Sequence, residues 1–111
     1  MPLITISNAV VTAYCCCHTC CGPSAKGITA SGARPVEGIT IAAPLAVPFN
    51  TVVFVTVPGW MTNRPFAVQD RLSRRFPKRW DIFIATHARA RQFGLQHATI
   101  TYKLNEIQHR D

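Results

Sequence analysis

Acidic side chains are scarce in this chain. Five of its 111 residues are Asp or Glu, against twelve Lys and Arg, so the formal net charge is +7. The shortage leaves few carboxylates for acid–base chemistry. Glu37, Glu106 and Asp111 fall in a loop or the C-terminal tail, which leaves Asp70 and Asp81. Long apolar runs are also missing. The longest apolar stretch, Ile39 to Trp60, is interrupted by Pro44, Pro48, Asn50 and Pro58, so it does not form a membrane-spanning helix. The N-terminal MPLITISN has no positively charged segment and no long apolar core, so no signal peptide is expected. Export by another route, trimming of a longer precursor and action at the place of synthesis all fit that. No internal repeat, low-complexity tract or linker divides the chain.

What is present is a globular composition. Hydrophobic residues make up 48% of the chain, which argues against disorder. At this length one domain over residues 1–111 is expected, with a barrel across about 8–104 and a polar tail at 105–111. The basic residues concentrate between Arg64 and Arg91. Such a surface suits polyanions: nucleic acid, anionic lipid or the acidic polymers of a bacterial wall. A basic face that serves solubility alone fits equally.

Strand signals dominate. Leu3–Ile6, Asn8–Tyr14, Ile39–Ala43, Thr51–Val57, Arg64–Asp70, Trp80–Ala85 and Ala98–Leu104 are rich in β-branched and aromatic residues. Ile28–Gly32 reads as a short strand or a turn. Pro58-Gly59 marks a turn, and Arg71–Arg79 a polar loop. Thr86 is placed to cap a short helix over His87–Phe93, with Gly94 as its stop. The last strand alternates, putting Ile100, Tyr102 and Leu104 on one face. Six or seven short strands with one helix predict a small closed barrel.

All five cysteines lie within Cys15–Cys21, together with His18. Cys15, Cys17, Cys20 and Cys21, or three of them with His18, have the donor types of a structural zinc site. Disulfides from Cys15 or Cys17 to Cys20 or Cys21, and free thiols, remain open alternatives. No motif pairs His87, His97 or His109 with a thiol, so a cysteine nucleophile is not expected.

Thr12 and Tyr14 occupy alternate strand positions and share a face, and Thr29 and Ser31 repeat that spacing. Their hydroxyls suit sugar hydroxyls and acetamido groups, and a tyrosine ring can stack on a pyranose. Trp60 reads as partial core or as an aromatic platform beside its turn.

The segments VTAYCCCHTCCG, KGITASG, TIAAPLAVPFNT, VQD and WDIFIATHARARQFG resemble, in this order, the landmarks of the three-aspartate (3D) domain family. That family is related to the double-psi β-barrel of membrane-bound lytic transglycosylase A. The resemblance covers roughly Val10 to Leu104. It implies a mostly β fold, a six-stranded double-psi barrel with one short helix near 87–93. It also implies a lytic transglycosylase that cleaves the MurNAc–GlcNAc bond of peptidoglycan without water, leaving anhydro-muropeptides and needing no catalytic cofactor. The family's second and third aspartates correspond to Asp70 and Asp81, eleven positions apart as in the family. The first corresponds to Ala43, just before Pro44, and the family's glycine-rich loop is replaced here by Arg71–Arg79. Related barrels place a Thr-x-Tyr pair beside the catalytic aspartate, as Thr12 and Tyr14 would be.

The implied roles give Asp70 the proton and make Asp81 its partner, with Thr12, Tyr14, Thr29 and Ser31 binding substrate. Cys15, Cys17, Cys20 and Cys21 are the metal or disulfide set. The alternatives are a non-catalytic glycan-binding barrel and a basic, zinc-stapled nucleic-acid binder. Against the last, aromatics are not interleaved with the basic residues, and the helix is short for groove recognition. The cell envelope or the exterior is the expected location if the enzyme reading holds.

Overall fold

The computed structural model describes residues 3–15, 28–72 and 75–103. Six strands carry most of them: β1 (Leu3–Tyr14), β2 (Thr40–Ala43), β3 (Val52–Val57), β4 (Met61–Arg71), β5 (Trp80–Phe83) and β6 (Gln96–Lys103). One helix, α1 (His87–Phe93), precedes the last strand. The strands close into a barrel in the order β1-β5-β2-β4-β3-β6. β1 is parallel to β5 and β2 to β4, and the other neighbours are antiparallel. The closed barrel is the one that the strand pattern predicts, and its mixed six-stranded arrangement with one short helix is consistent with the double-psi type that the resemblance implies. Closure pairs every edge.

Side-chain alternation builds the core. In β3, Val53, Val55 and Val57 are buried while Val52 and Phe54 face out. In β6, Ala98, Ile100 and Tyr102 point inward. Leu104, expected on that face, lies outside the described residues. Trp80, Ile41, Val11 and Val68 complete the interior, and α1 adds Phe93 and Ala90. The Pro58-Gly59 turn closes with Trp60 N–H donating to Val57 O at 2.9 Å. Gly59 takes φ +82° there, a conformation glycine adopts without steric cost.

Several boundaries differ from the sequence reading. Leu3–Ile6 and Asn8–Tyr14 are one strand, β1, and its pairing with β6 begins at Leu3. The register shifts between Ile6 and Ala9, where Asn8 has φ +58°. Asparagine tolerates that left-handed conformation better than most residues, so it absorbs a bulge without ending the strand. Ile28–Gly32 contains a turn and no strand. Thr86 occupies the N-cap position of α1, but its hydroxyl makes no capping bond. Gly94 ends the helix, its N–H donating to Ala90 O.

Candidate active site

Four strands place four residues in one row. Thr12 is the register partner of Asp81 across β1 and β5, Asp81 of Ala42 across β5 and β2, and Ala42 of Asp70 across β2 and β4. Cross-strand partners share a face, so both carboxylates flank the Ala42 methyl. Two strand spacings separate their backbones, about 10 Å.

A bulge makes this possible. Ile41 pairs with Val68, but Ala42 pairs with Asp70, so Gln69 is the extra residue. Val68 is in the core, and strict alternation would send Asp70 inward as well. The extra residue turns Asp70 to the face that holds Asp81.

Each acid has its own hydroxyl donor. Tyr14 Oη donates to Asp70 Oδ2 at 2.8 Å, and Thr12 Oγ1 donates to Asp81 Oδ1 at 3.0 Å. The second oxygen of Asp70 accepts from the backbone N–H groups of Ala30 and Arg71, each at 2.9 Å. Both Asp70 oxygens therefore act as acceptors. Phe83 packs edge-on against the Tyr14 ring, with centroids 5.6 Å apart, and so fixes the tyrosine.

Burial drives the Asp81 carboxyl up to about 7. The Thr12 hydrogen bond opposes the rise, the Asp70 charge adds to it, and Arg79 works against it. An Asp81 carboxyl raised that far holds a proton near neutral pH. The resemblance implies the proton-donating role for Asp70 instead.

Neither Arg71 nor Arg79 forms an ion pair with Asp70 or Asp81. Arg71 Nη1 donates to the carbonyls of Ala43 and Pro44 at 3.3 and 3.0 Å. Its guanidinium lies 4.2 Å from the Phe49 ring centroid. Arg79 stacks on Phe76 at 4.3 Å. These carbonyl and ring contacts hold the two guanidiniums, while the Arg79 charge still pulls the Asp81 carboxyl down. Ala43, where the resemblance places the family's first aspartate, is buried in the core. Ala42, one residue earlier, stands between the two carboxylates.

The Thr29–Ser31 turn is tied to the same strand end. Thr29 Oγ1 and Ser31 Oγ are 3.0 Å apart, and Ser31 Oγ donates to Gln69 Oε1 at 2.6 Å. Gln69 Nε2 in turn donates to Asn50 Oδ1 at 2.8 Å. The sequence reading gives Asn50 only as a break in the apolar stretch and assigns neither it nor Gln69 a place at the site. Asn50 has φ +71°, and asparagine between Pro48-Phe49 and a β-branched run was the available signal. Trp60 is half exposed, its ring edge-on to Phe93 with centroids 5.1 Å apart.

Of the four expected metal or disulfide cysteines, Cys15 is described and buried; Cys17, Cys20 and Cys21 lie outside the described residues, as does His18. Cys15 Sγ lies 3.7 Å from His87 Nδ1 on α1. A thiol and a histidine therefore meet, a pairing that no sequence motif announces, because β1 ends beside the start of the helix. No cluster of three potential metal ligands occurs among the described residues.

No family model and no curated protein matches the chain. Among solved structures it is similar to "MltA from E. coli", with a TM-score of 0.57 and 15% identity. The match covers 71% of this chain but 28% of that one. At that identity the likeness is one of fold. Among the described residues no helix is long and apolar enough to cross a membrane.

Proposed function

We propose that this barrel is a lytic transglycosylase of the three-aspartate type, acting on the MurNAc–GlcNAc bond of peptidoglycan. One observation carries the reading: Asp81, with a carboxyl raised to about 7, faces Asp70 across Ala42, and each acid is held by a hydroxyl from β1. The fold likeness to MltA supports it at the level of architecture.

In the proposed reaction Asp81 donates its proton to the glycosidic oxygen as the C–O bond breaks. The Asp70 carboxylate stabilises the oxocarbenium-like charge that develops on the muramoyl ring. Asp81, now deprotonated, takes the proton of the same sugar's 6-hydroxyl, whose oxygen bonds to C1. The anhydro ring closes, Asp81 regains its proton, and no water is consumed. Thr12 orients Asp81 and Tyr14 orients Asp70. The exposed Ser31 hydroxyl borders the sugar, and Thr29, buried with its hydroxyl donating to Ala33 O at 2.9 Å, holds that turn in place. The chemistry needs no cofactor, and a zinc held by the cysteine cluster would be structural. Peptidoglycan is the partner, and the cell envelope or exterior the place of action.

A non-catalytic glycan-binding module is the second reading. It is favoured by the alanine at position 43 and by the full set of donors on Asp70. Incubation with purified sacculi separates the two. Soluble fragments ending in anhydro-muramic acid support the enzyme. Co-sedimentation without soluble product supports the module, and absence of both contradicts each.

A further inference from the structure

A cavity of about 270 Å³ opens where α1 meets the barrel. Its floor is apolar and buried: Phe66, Ile82 and Phe93. Trp60 forms a half-exposed wall. Two guanidiniums, Arg64 and Arg89, and one carboxylate, Glu37, stand on the rim.

The rim carries an excess positive charge that is already oriented. Glu37 forms an ion pair with Arg89 and accepts the Ala85 N–H at 2.7 Å. Those two contacts hold its carboxyl below the usual range, with the Arg89 bond the larger cause. Arg89 is thereby engaged. Arg64 Nη2 abuts Gly38: a Cβ there would fall 2.6 Å from it, and the guanidinium carbon lies 6.0 Å from the Phe66 ring centroid. Glycine at 38 leaves room for the guanidinium against the backbone, on the lining of the cavity. A small apolar group with one carboxylate fits this chamber, the carboxylate taken by the planar fork of Arg64. A dianion would meet Glu37 at the same rim.

The cavity adjoins the aspartate pair. Phe83 lines it, and the same ring packs on Tyr14, which holds Asp70. Phe83 also follows Asp81 by two positions on β5, the same face about 7 Å away. A muramoyl residue at the acids would direct its lactyl-linked peptide along Phe83 into the chamber. We propose that this cavity binds the first two residues of the peptide stem, a small aliphatic residue and the free α-carboxylate of the γ-linked glutamate after it. The proposal rests on the glycan reading, and the experiment below separates their fates.

The chain has two tryptophans, of which Trp80 is buried in the core and Trp60 lines the cavity. Their indole N–H signals in an ¹⁵N correlation spectrum report on the two places. The probes are the dipeptide L-Ala-γ-D-Glu, its α-carboxamide L-Ala-D-isoGln, and inorganic phosphate. None contains a glycosidic bond, so the result is independent of cleavage. The acid dipeptide is expected to move the Trp60 signal saturably and leave Trp80 in place. The carboxamide and Arg64→Gln are each expected to weaken binding roughly tenfold or more, as loss of a charge-assisted bidentate contact does. Arg64 is exposed, so the variant keeps its fold, and an unchanged Trp80 signal checks this. An unmoved Trp60, equal response to acid and amide, or equal response to phosphate overturns the proposal. Binding of the dipeptide by a protein that releases no anhydro product leaves this site standing and removes the enzyme reading alone.

Discussion

Asp70 and Asp81 are both register partners of Ala42, one on each side. The smallest chiral side chain stands between the two acids, so nothing bulky separates their charges. One carboxyl is buried enough to hold a proton, and the other is surrounded by donors.

Replacing Asp81 by Asn removes the proposed acid. Release of anhydro-muropeptides should fall at least a hundredfold, about the scale of general acid catalysis, with the fold intact. Thr12 can still donate to the amide oxygen. Near-normal activity in this variant would take Asp81 out of the mechanism.

The same group sets two pH dependences. As an acid Asp81 must be protonated, so turnover should decline as pH rises through about 7. Its folded value lies above the unfolded one, so the folded state binds the extra proton between about pH 4 and 7. Stability should therefore fall as pH rises through that window, by up to a few kcal/mol. Asp81→Asn should flatten this slope. Denaturant melts at several pH values check the sign.

Tyr14→Phe deletes one hydroxyl and keeps the ring on Phe83. The lost bond accepts at a carboxylate, a class worth about 1.5–3 kcal/mol. Melting should show a loss of about that size, and turnover should drop further than binding to sacculi. Equal losses in both would make Tyr14 a substrate contact and not a support for Asp70.

The strands were legible because β-branched runs broken by proline and glycine leave few other options. Val52–Val57 shows this best, with burial alternating as its sequence does. The row of acids was legible only through the resemblance, since counting from Val68 places Asp70 on the wrong face. The bulge at Gln69 has no glycine or proline to announce it. It is held by Ser31 and Asn50, from turns distant in sequence. Cys15 and His87 stand 72 positions apart and meet only through the barrel's closure.

Asn50 offers a test of that support. Asn50→Ala places a Cβ-bearing residue without a local hydrogen bond at φ +71° and removes the Gln69 contact. It should cost about 1–2 kcal/mol. Asn50→Gly keeps the backbone conformation and should cost less. The reverse order in thermal melts would show that Asn50 acts through something other than its backbone.

The most direct test of the paired acids is a ¹³C titration of the Asp81 side-chain carboxyl, in the parent protein and in Asp70→Asn. The account predicts a midpoint near 7 that moves down, but stays above the ordinary carboxylate range, when the neighbouring charge is removed. A midpoint near 4, indifferent to Asp70, would contradict it.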